Sequence, residues 1–180
     1  MINLKDSELI KRIQSGDTWA LDEIIKSYYN EIYHFLCRKL SNHDAAQDVT
    51  QNVFIKFAAA FSQYDERGKF RNYLFKLAAN AGNDWFRGKS DDVTLDELQE
   101  FESNEPAPEE STINRDTAQT VRRSLQMLPG FQRDVIILRF YHDLPFKDIA
   151  RITGHNLSST KSRYRQGMEK LKNLLKEDLA

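Results

Sequence analysis

The chain has 180 residues, room for one large domain or two small ones, and its 40% hydrophobic and 29% charged content excludes global disorder. A single cysteine, Cys37, excludes an internal disulfide. The longest aliphatic run, VIIL at 135–138, falls far short of the roughly 20 apolar residues of a membrane-spanning helix.

The net charge of −1 conceals an uneven distribution. Residues 1–89 carry 13 basic and 11 acidic side chains, residues 90–118 carry one and 10, and residues 119–180 carry 12 and six. Such asymmetry implies two working lobes joined by an acidic connector, with the C-terminal lobe facing a polyanion. The opening MINLKDSELI lacks the basic-then-apolar order of a signal peptide, so the expected location is cytoplasmic.

Helical spacing dominates the first lobe, and no alternating strand pattern competes with it. Asp6 is placed to cap a short helix ending near Ser15-Gly16. Asp17 is placed to cap a longer one, TWALDEIIKSYYNEIYHFLCRKL, in which Cys37 reads as a buried thiol. Ser41 or Asn42 starts a third, with Val49, Val53, Phe57 and Phe61 on one face. Residues 64–69, YDERGK, have no period and read as a loop. A fourth helix is expected from about Phe70 to Arg87. Residues 90–114 are acidic and hold Pro106 and Pro108, so they read as a flexible linker with at most a helical turn near Leu95–Phe101. The second lobe, 115–180, offers four helices: one marked by Val121, Leu125 and Leu128, then FQRDVIILRFY, then PFKDIARIT with Pro145 in its first turn, and finally the stretch from Leu157. The fold class is therefore all-α, with domains at 1–89 and 115–180.

Helix, short glycine turn, helix over 145–175 is the pattern of a helix-turn-helix. Ala150 is small where the two helices must cross, and Gly154 can adopt the positive φ of the turn. Ser158 and Ser159 are placed to cap the second helix, which then turns Lys161, Ser162, Arg165 and Gln166 outward, and such side chains read the edges of a major groove. A solvated basic helix would share this composition; Ala150 and Gly154 at their offsets favour the DNA reading. Arg163 falls near the inward face, where it could serve packing or DNA. In the first lobe, Tyr64, Arg67 and Lys69 in the loop, with Arg71, Lys76 and Arg87 just after it, have the composition of a single-strand binding surface. His34, His43, His142 and His155 form no short metal-ligand spacing, and neither GxSxG nor a Walker A sequence is present. The acidic run with Asp91, Asp92, Asp96 and Glu97 reads as solvated rather than metal-binding. No catalysis, metal or cofactor is expected.

These segments together resemble a bacterial RNA polymerase sigma factor of the extracytoplasmic-function group. GDTWAL at 16–21, DAAQDVTQNVF at 44–54 and KFRNYLFKLAAN at 69–80 resemble region 2; LPGFQRDVIILRF at 128–140, and DIARITG followed by STKSR, resemble region 4. The resemblance implies that the chain is not an enzyme but binds core RNA polymerase, through the clamp helices of its largest subunit and the flap, and directs initiation at promoter DNA by binding energy alone. It places Asp48, Gln51, Asn52 and Ile55 at the polymerase. It places Tyr64, Arg67, Lys69, Arg71, Lys76, Asn80, Asp84 and Arg87 at the minus-ten element. It places Ser158, Ser159, Lys161, Ser162, Arg165 and Gln166 at the minus-thirty-five element. It also implies control by an anti-sigma factor. The chain departs from the family pattern at Gln47, Tyr73, His155, Thr160 and Gln166-Gly167. Gly167 is expected to cost its helix about 1 kcal/mol relative to Ala. A polymerase-independent helix-turn-helix regulator, and a metal-dependent DNA-processing enzyme, are the alternatives.

Overall fold

The computed structural model describes residues 4–61, 64, 69–90 and 115–178. Arg67 and the linker residues 91–114 lie outside the described residues, and so do the turn expected near Leu95–Phe101 and the acidic run at 91–97.

Eight helices make up the described residues, and no strand occurs among them. The first lobe comprises α1 (Leu4–Gln14), α2 (Thr18–Leu40), α3 (His43–Ala60) and α4 (Phe70–Ser90). The second comprises α5 (Arg115–Gln126), α6 (Gly130–Phe140), α7 (Phe146–Thr153) and α8 (Leu157–Asp178).

Local chemistry sets most of the boundaries. Asp17 caps α2 by accepting from the Ala20 amide at 3.2 Å, and Asn42 caps α3 by accepting from the Ala45 amide at 2.8 Å. Between them Ser41 turns the chain at φ 53°, its amide donating to the Cys37 carbonyl. Gly154 ends α7 at φ 72°, where a side chain would be strained.

Two caps differ from expectation. Helix α1 begins at Leu4, ahead of Asp6, and the Asp6 carboxylate instead accepts from the Tyr28 hydroxyl at 2.5 Å. Helix α8 is capped by Asn156, whose Oδ1 accepts from the Ser159 amide at 2.7 Å, so Ser158 and Ser159 sit in the first turn. Pro145 immediately precedes α7 at φ −68°, and α4 runs three residues past Arg87.

Phe35, Phe57 and Phe75 lie fully buried among Ile24, Ile32, Leu36 and Leu74. This core does not stop at the lobe boundary: it continues into Val135, Ile137, Leu138, Ile149 and Ile152 of the second lobe. A smaller cluster of Leu125, Leu128, Ile136 and Leu171 holds α5, α6 and α8 together. The lobes are thus docked, with α2 against α5 and α6 and α4 against α7. The sequence reading foresaw the two lobes but no contact between them.

Candidate nucleic-acid and polymerase surfaces

The helix-turn-helix is formed by α7 and α8. Ala150 is buried at their crossing, as expected. Thr160, Tyr164, Gly167, Met168 and Leu171 turn inward from α8, which leaves Ser158, Lys161, Arg165 and Gln166 exposed on the opposite face and Ser159 and Ser162 half-buried. Lys161 and Arg165 are four residues apart and so stand one above the other. No acid occurs between Leu157 and Met168, so this face presents uncompensated positive charge. Thr160 is buried without cost to its hydroxyl, which donates to the Asn156 carbonyl at 2.9 Å. The His155 ring rests on Phe131 with centroids 3.8 Å apart, and the Arg163 guanidinium lies over the same ring at 5.9 Å, so Arg163 packs while remaining exposed.

Gly167 overturns an expectation. A Cβ there would lie 2.8 Å from Ile136 Cδ1 and 3.2 Å from Gln132 Cβ. Glycine is what lets α8 approach α6 so closely, and the helix-propensity advantage of alanine cannot be realised at this position.

Helix α3 buries Ala46, Val49, Thr50, Val53, Phe54 and Phe57. The residues between them, Asp48, Gln51, Asn52 and Ile55, form one exposed stripe, as an amphipathic helix requires. Ile55 is 64% exposed, an apolar side chain in a polar stripe and a natural anchor for a partner surface.

On α4, Lys76, Asn80, Asp84 and Arg87 follow one another at helical spacing and are all exposed, with Asp84 and Arg87 ion-paired. Lys69 and Tyr73 continue this stripe toward the helix start. The Tyr64 ring meets that of Tyr73 at 4.8 Å and that of Phe70 at 5.7 Å, so the aromatic part of the expected surface is assembled. Burial pushes the Tyr73 phenol pKa up, keeping it a neutral donor.

Arg71 is not part of this stripe. It points between the lobes, pairing with Glu31 and donating to the His142 carbonyl at 3.0 Å. Lys69 is drawn the same way, 3.9 Å from Asp148 of α7.

The lobe junction also holds residues that sequence reasoning missed. Lys39 of α2 is 1% exposed; its Nζ donates to both Asp134 carboxylate oxygens of α6 at 2.6 Å and to Asn83 Oδ1 of α4 at 2.9 Å. Burial pushes the Lys39 pKa down and the Asp134 pKa up, against the attraction of the pair. Arg133 donates to the carbonyls of Leu125, Gln126 and Leu128 around the end of α5, and to the Lys39 carbonyl at the end of α2, closing two helix C-termini with one guanidinium. His142 inserts between α2 and α4, its ring 4.8 Å from that of Phe75 and its Nδ1 3.5 Å from Glu31 Oε1. Burial works against the Glu31 carboxylate, but hydrogen bonds from His142 and Arg71 outweigh it and hold its pKa at about 2.

Elsewhere, Cys37 is half-buried with Sγ 3.7 Å from His43 Nδ1, and burial pushes its thiol up, so it remains protonated. Among the described residues no helix is long and apolar enough to cross a membrane.

Comparison with known proteins assigns the two lobes in the same order. The family model described as Sigma-70 region 2 matches residues 24–91, and that described as Sigma-70, region 4 matches residues 118–171. The chain is 26% identical over 178 residues to the ECF RNA polymerase sigma factor SigW of Bacillus subtilis, covering 93% of this chain and 95% of that one. It is 28% identical over 187 residues to the RNA polymerase sigma-H factor of Pseudomonas aeruginosa, covering 96% and 97%. Its fold is similar to that of the sigma factor RpoE solved in complex with the anti-sigma factor NepR from Bartonella quintana, with a TM-score of 0.72 at 24% identity, over 86% of this chain and 96% of that one. With both region models matched in order, well over half the chain covered and a helix-turn-helix at the expected end, the protein belongs to the extracytoplasmic-function sigma factors.

Proposed function

We propose that this chain binds bacterial core RNA polymerase and directs initiation at promoters that carry both a minus-ten and a minus-thirty-five element. The observation that carries this reading is the pairing, in one chain, of the Lys161–Arg165–Gln166 face of α8 with the aromatic and polar stripe of α4. The first suits a major groove, the second an unpaired strand. In α8, Lys161, Arg165 and Gln166 contact base edges or phosphates, with Ser158, Ser159 and Ser162 around them. In α4, Lys76 and Arg87 hold the strand backbone, while Tyr64, Tyr73 and Asn80 receive an unstacked base; Lys69 joins them once it leaves Asp148. The α3 stripe of Asp48, Gln51, Asn52 and Ile55 docks on the clamp helices of the polymerase, and region 4 meets the flap.

The energetics require the polymerase. Extracting one base costs a few kcal/mol. One aromatic stack returns about 1–3 kcal/mol. The chain alone therefore gains too little to melt a duplex, and the polymerase supplies the remaining contacts. On the same reading the chain catalyses no reaction itself, acts in the cytoplasm where promoter DNA lies, and is held in check by an anti-sigma factor, as the partner named for the RpoE structure suggests.

Run-off transcription with core polymerase tests this. Initiation at a defined site that needs the chain, and that drops about tenfold or more with Arg165→Ala through loss of about 1–3 kcal/mol at a base pair, is the expected result. No chain-dependent initiation, together with tight site-specific DNA binding by the chain alone, would instead mark a polymerase-independent helix-turn-helix regulator.

A further inference from the structure

Two positions at which the sequence departs from the family pattern, His155 and Gly167, converge on the start of α6. Gly167 brings α8 against that helix: an added Cβ would lie 2.8 Å from Ile136 Cδ1 and 3.2 Å from Gln132 Cβ. Arg163 stands one turn before Gly167 on the same side of α8. The close approach therefore sets Arg163 beside Phe131, the neighbour of Gln132 in sequence, with its guanidinium 5.9 Å from the ring centroid. The His155 ring, from the turn between α7 and α8, rests on the same phenyl ring, with centroids 3.8 Å apart and planes inclined by 34°. One aromatic ring from α6 thus carries a cationic side chain from α8 and an imidazole from the turn.

Arg163 is exposed, and among the described residues it makes no ion pair and no hydrogen bond. A guanidinium over an aromatic face is held without spending its N–H donors, which stay available to an anion. Its position on α8 says which anion. Arg163 is two residues from both Lys161 and Arg165, so it lies about 160° round the helix from each. The polar arc of α8 runs from Lys161 and Arg165, through Ser162 and Gln166, to Arg163 at the far edge. A major groove is about 12 Å wide, and a helix with its side chains is about 10–12 Å across, so such a helix fills the groove and each edge of its arc faces a different phosphate strand.

We propose that Arg163 is a phosphate contact on the groove wall opposite the one faced by Lys161 and Arg165, and that Phe131, seated under it by the close approach at Gly167 and covered by His155, is the residue that positions it. The proposal deepens the promoter-binding reading given above and rests on it. Arg163 reads no base; it fixes the register of α8 in the groove, and Phe131 lowers the ordering that the arginine must undergo on binding.

The test uses the full-length chain bound to core polymerase and a promoter duplex. Arg163→Gln should lower affinity about tenfold at 0.1 M salt and make the slope of log affinity on log salt shallower by about 0.9, while base-pair substitutions in the minus-thirty-five element cost the same as in the parent. A scan of neutral methylphosphonates should find one phosphate whose replacement weakens the parent and leaves Arg163→Gln unchanged. Arg163→Lys should restore the slope but not the full affinity, because an ammonium keeps the charge without the planar fit to the ring. Phe131→Leu should lower affinity several-fold in the parent and have no effect in the Arg163→Gln background, which a merely structural role of the ring would not produce. An unchanged salt slope in Arg163→Gln, or relaxed discrimination at one base pair, overturns the phosphate contact. Full affinity in Arg163→Lys, or additive losses from Phe131→Leu and Arg163→Gln, overturns the platform. If the parent complex does not bind the promoter at all, the sigma-factor reading fails and this contact falls with it.

Discussion

The interior of the first lobe and the junction between the lobes are both buried, yet they are built from different materials. The first is aromatic and dry: Phe57 meets Phe70 at 5.2 Å and Phe61 at 5.3 Å, and Phe35 meets Phe75 edge-on at 5.5 Å. The second is threaded with charge, from Lys39 and Asp134 to Glu31, Arg71 and His142. Apolar burial is non-directional and holds at any pH. Paired charges hold only in one register, and each is rehydrated on separation. The contrast teaches that ring packing alone holds the lobe interior, whereas the junction adds paired charges, which fix its register, to the apolar core that crosses it.

The strongest way to break the dry side is Phe57→Ala. Removing a fully buried ring should cost about 3–5 kcal/mol, and because the core continues into the second lobe the whole chain should melt earlier by calorimetry. A Phe57→Ala variant that melts like the parent would show that the rings are not the core.

Next comes acid, which acts on the charged side alone. The carboxylate of Glu31 faces Arg71 from α4 and His142 from the α6–α7 turn, with Tyr28 and its partner Asp6 nearby. Its pKa falls from 4.5 to about 2 in the folded chain, so its contribution is complete above 4.5 and disappears as the pH drops through 2. Glu31→Gln should therefore cost up to about 3 kcal/mol at neutral pH and little below pH 2, read as the difference between denaturant titrations of parent and variant. A difference that stays constant with pH would remove Glu31 from the junction.

The smallest effect sharpens the comparison from inside the second lobe. Gly167→Ala should destabilise by about 1–3 kcal/mol through the contact with Ile136 and Gln132, where helix propensity alone predicts a gain. Chemical denaturation distinguishes the two signs.

What could be read in the sequence was what is local. The caps at Asp17, Asn42 and Gly154 depend on residues within a turn of themselves, and the outward faces of α3 and α8 follow from spacing alone. The Asn156 cap was missed because Ser158 and Ser159 offered equally good oxygens two residues later. Arg71 was grouped with the strand-binding stripe because its charge fits; its place on the helix, two residues from both Lys69 and Tyr73, turns it toward the other lobe. The buried Lys39–Asp134 pair was out of reach, since the two residues stand 95 positions apart and each, in its own helix, looks like a surface charge. The one hint is that Arg133-Asp134 opens directly into the apolar run VIIL. Gly167 looked like a flaw in a helix because the neighbour it accommodates lies on α6.

The most direct test of the account is the separation of the lobes during function. Fluorophores placed at Lys26→Cys of α2 and Lys170→Cys of α8, with Cys37→Ser, would report it by single-molecule energy transfer in the free chain and in a complex with core polymerase and promoter DNA. The account predicts a single short separation in the free chain and a longer one, by several tens of ångströms, in the initiating complex. A short separation that persists while the complex transcribes would contradict it.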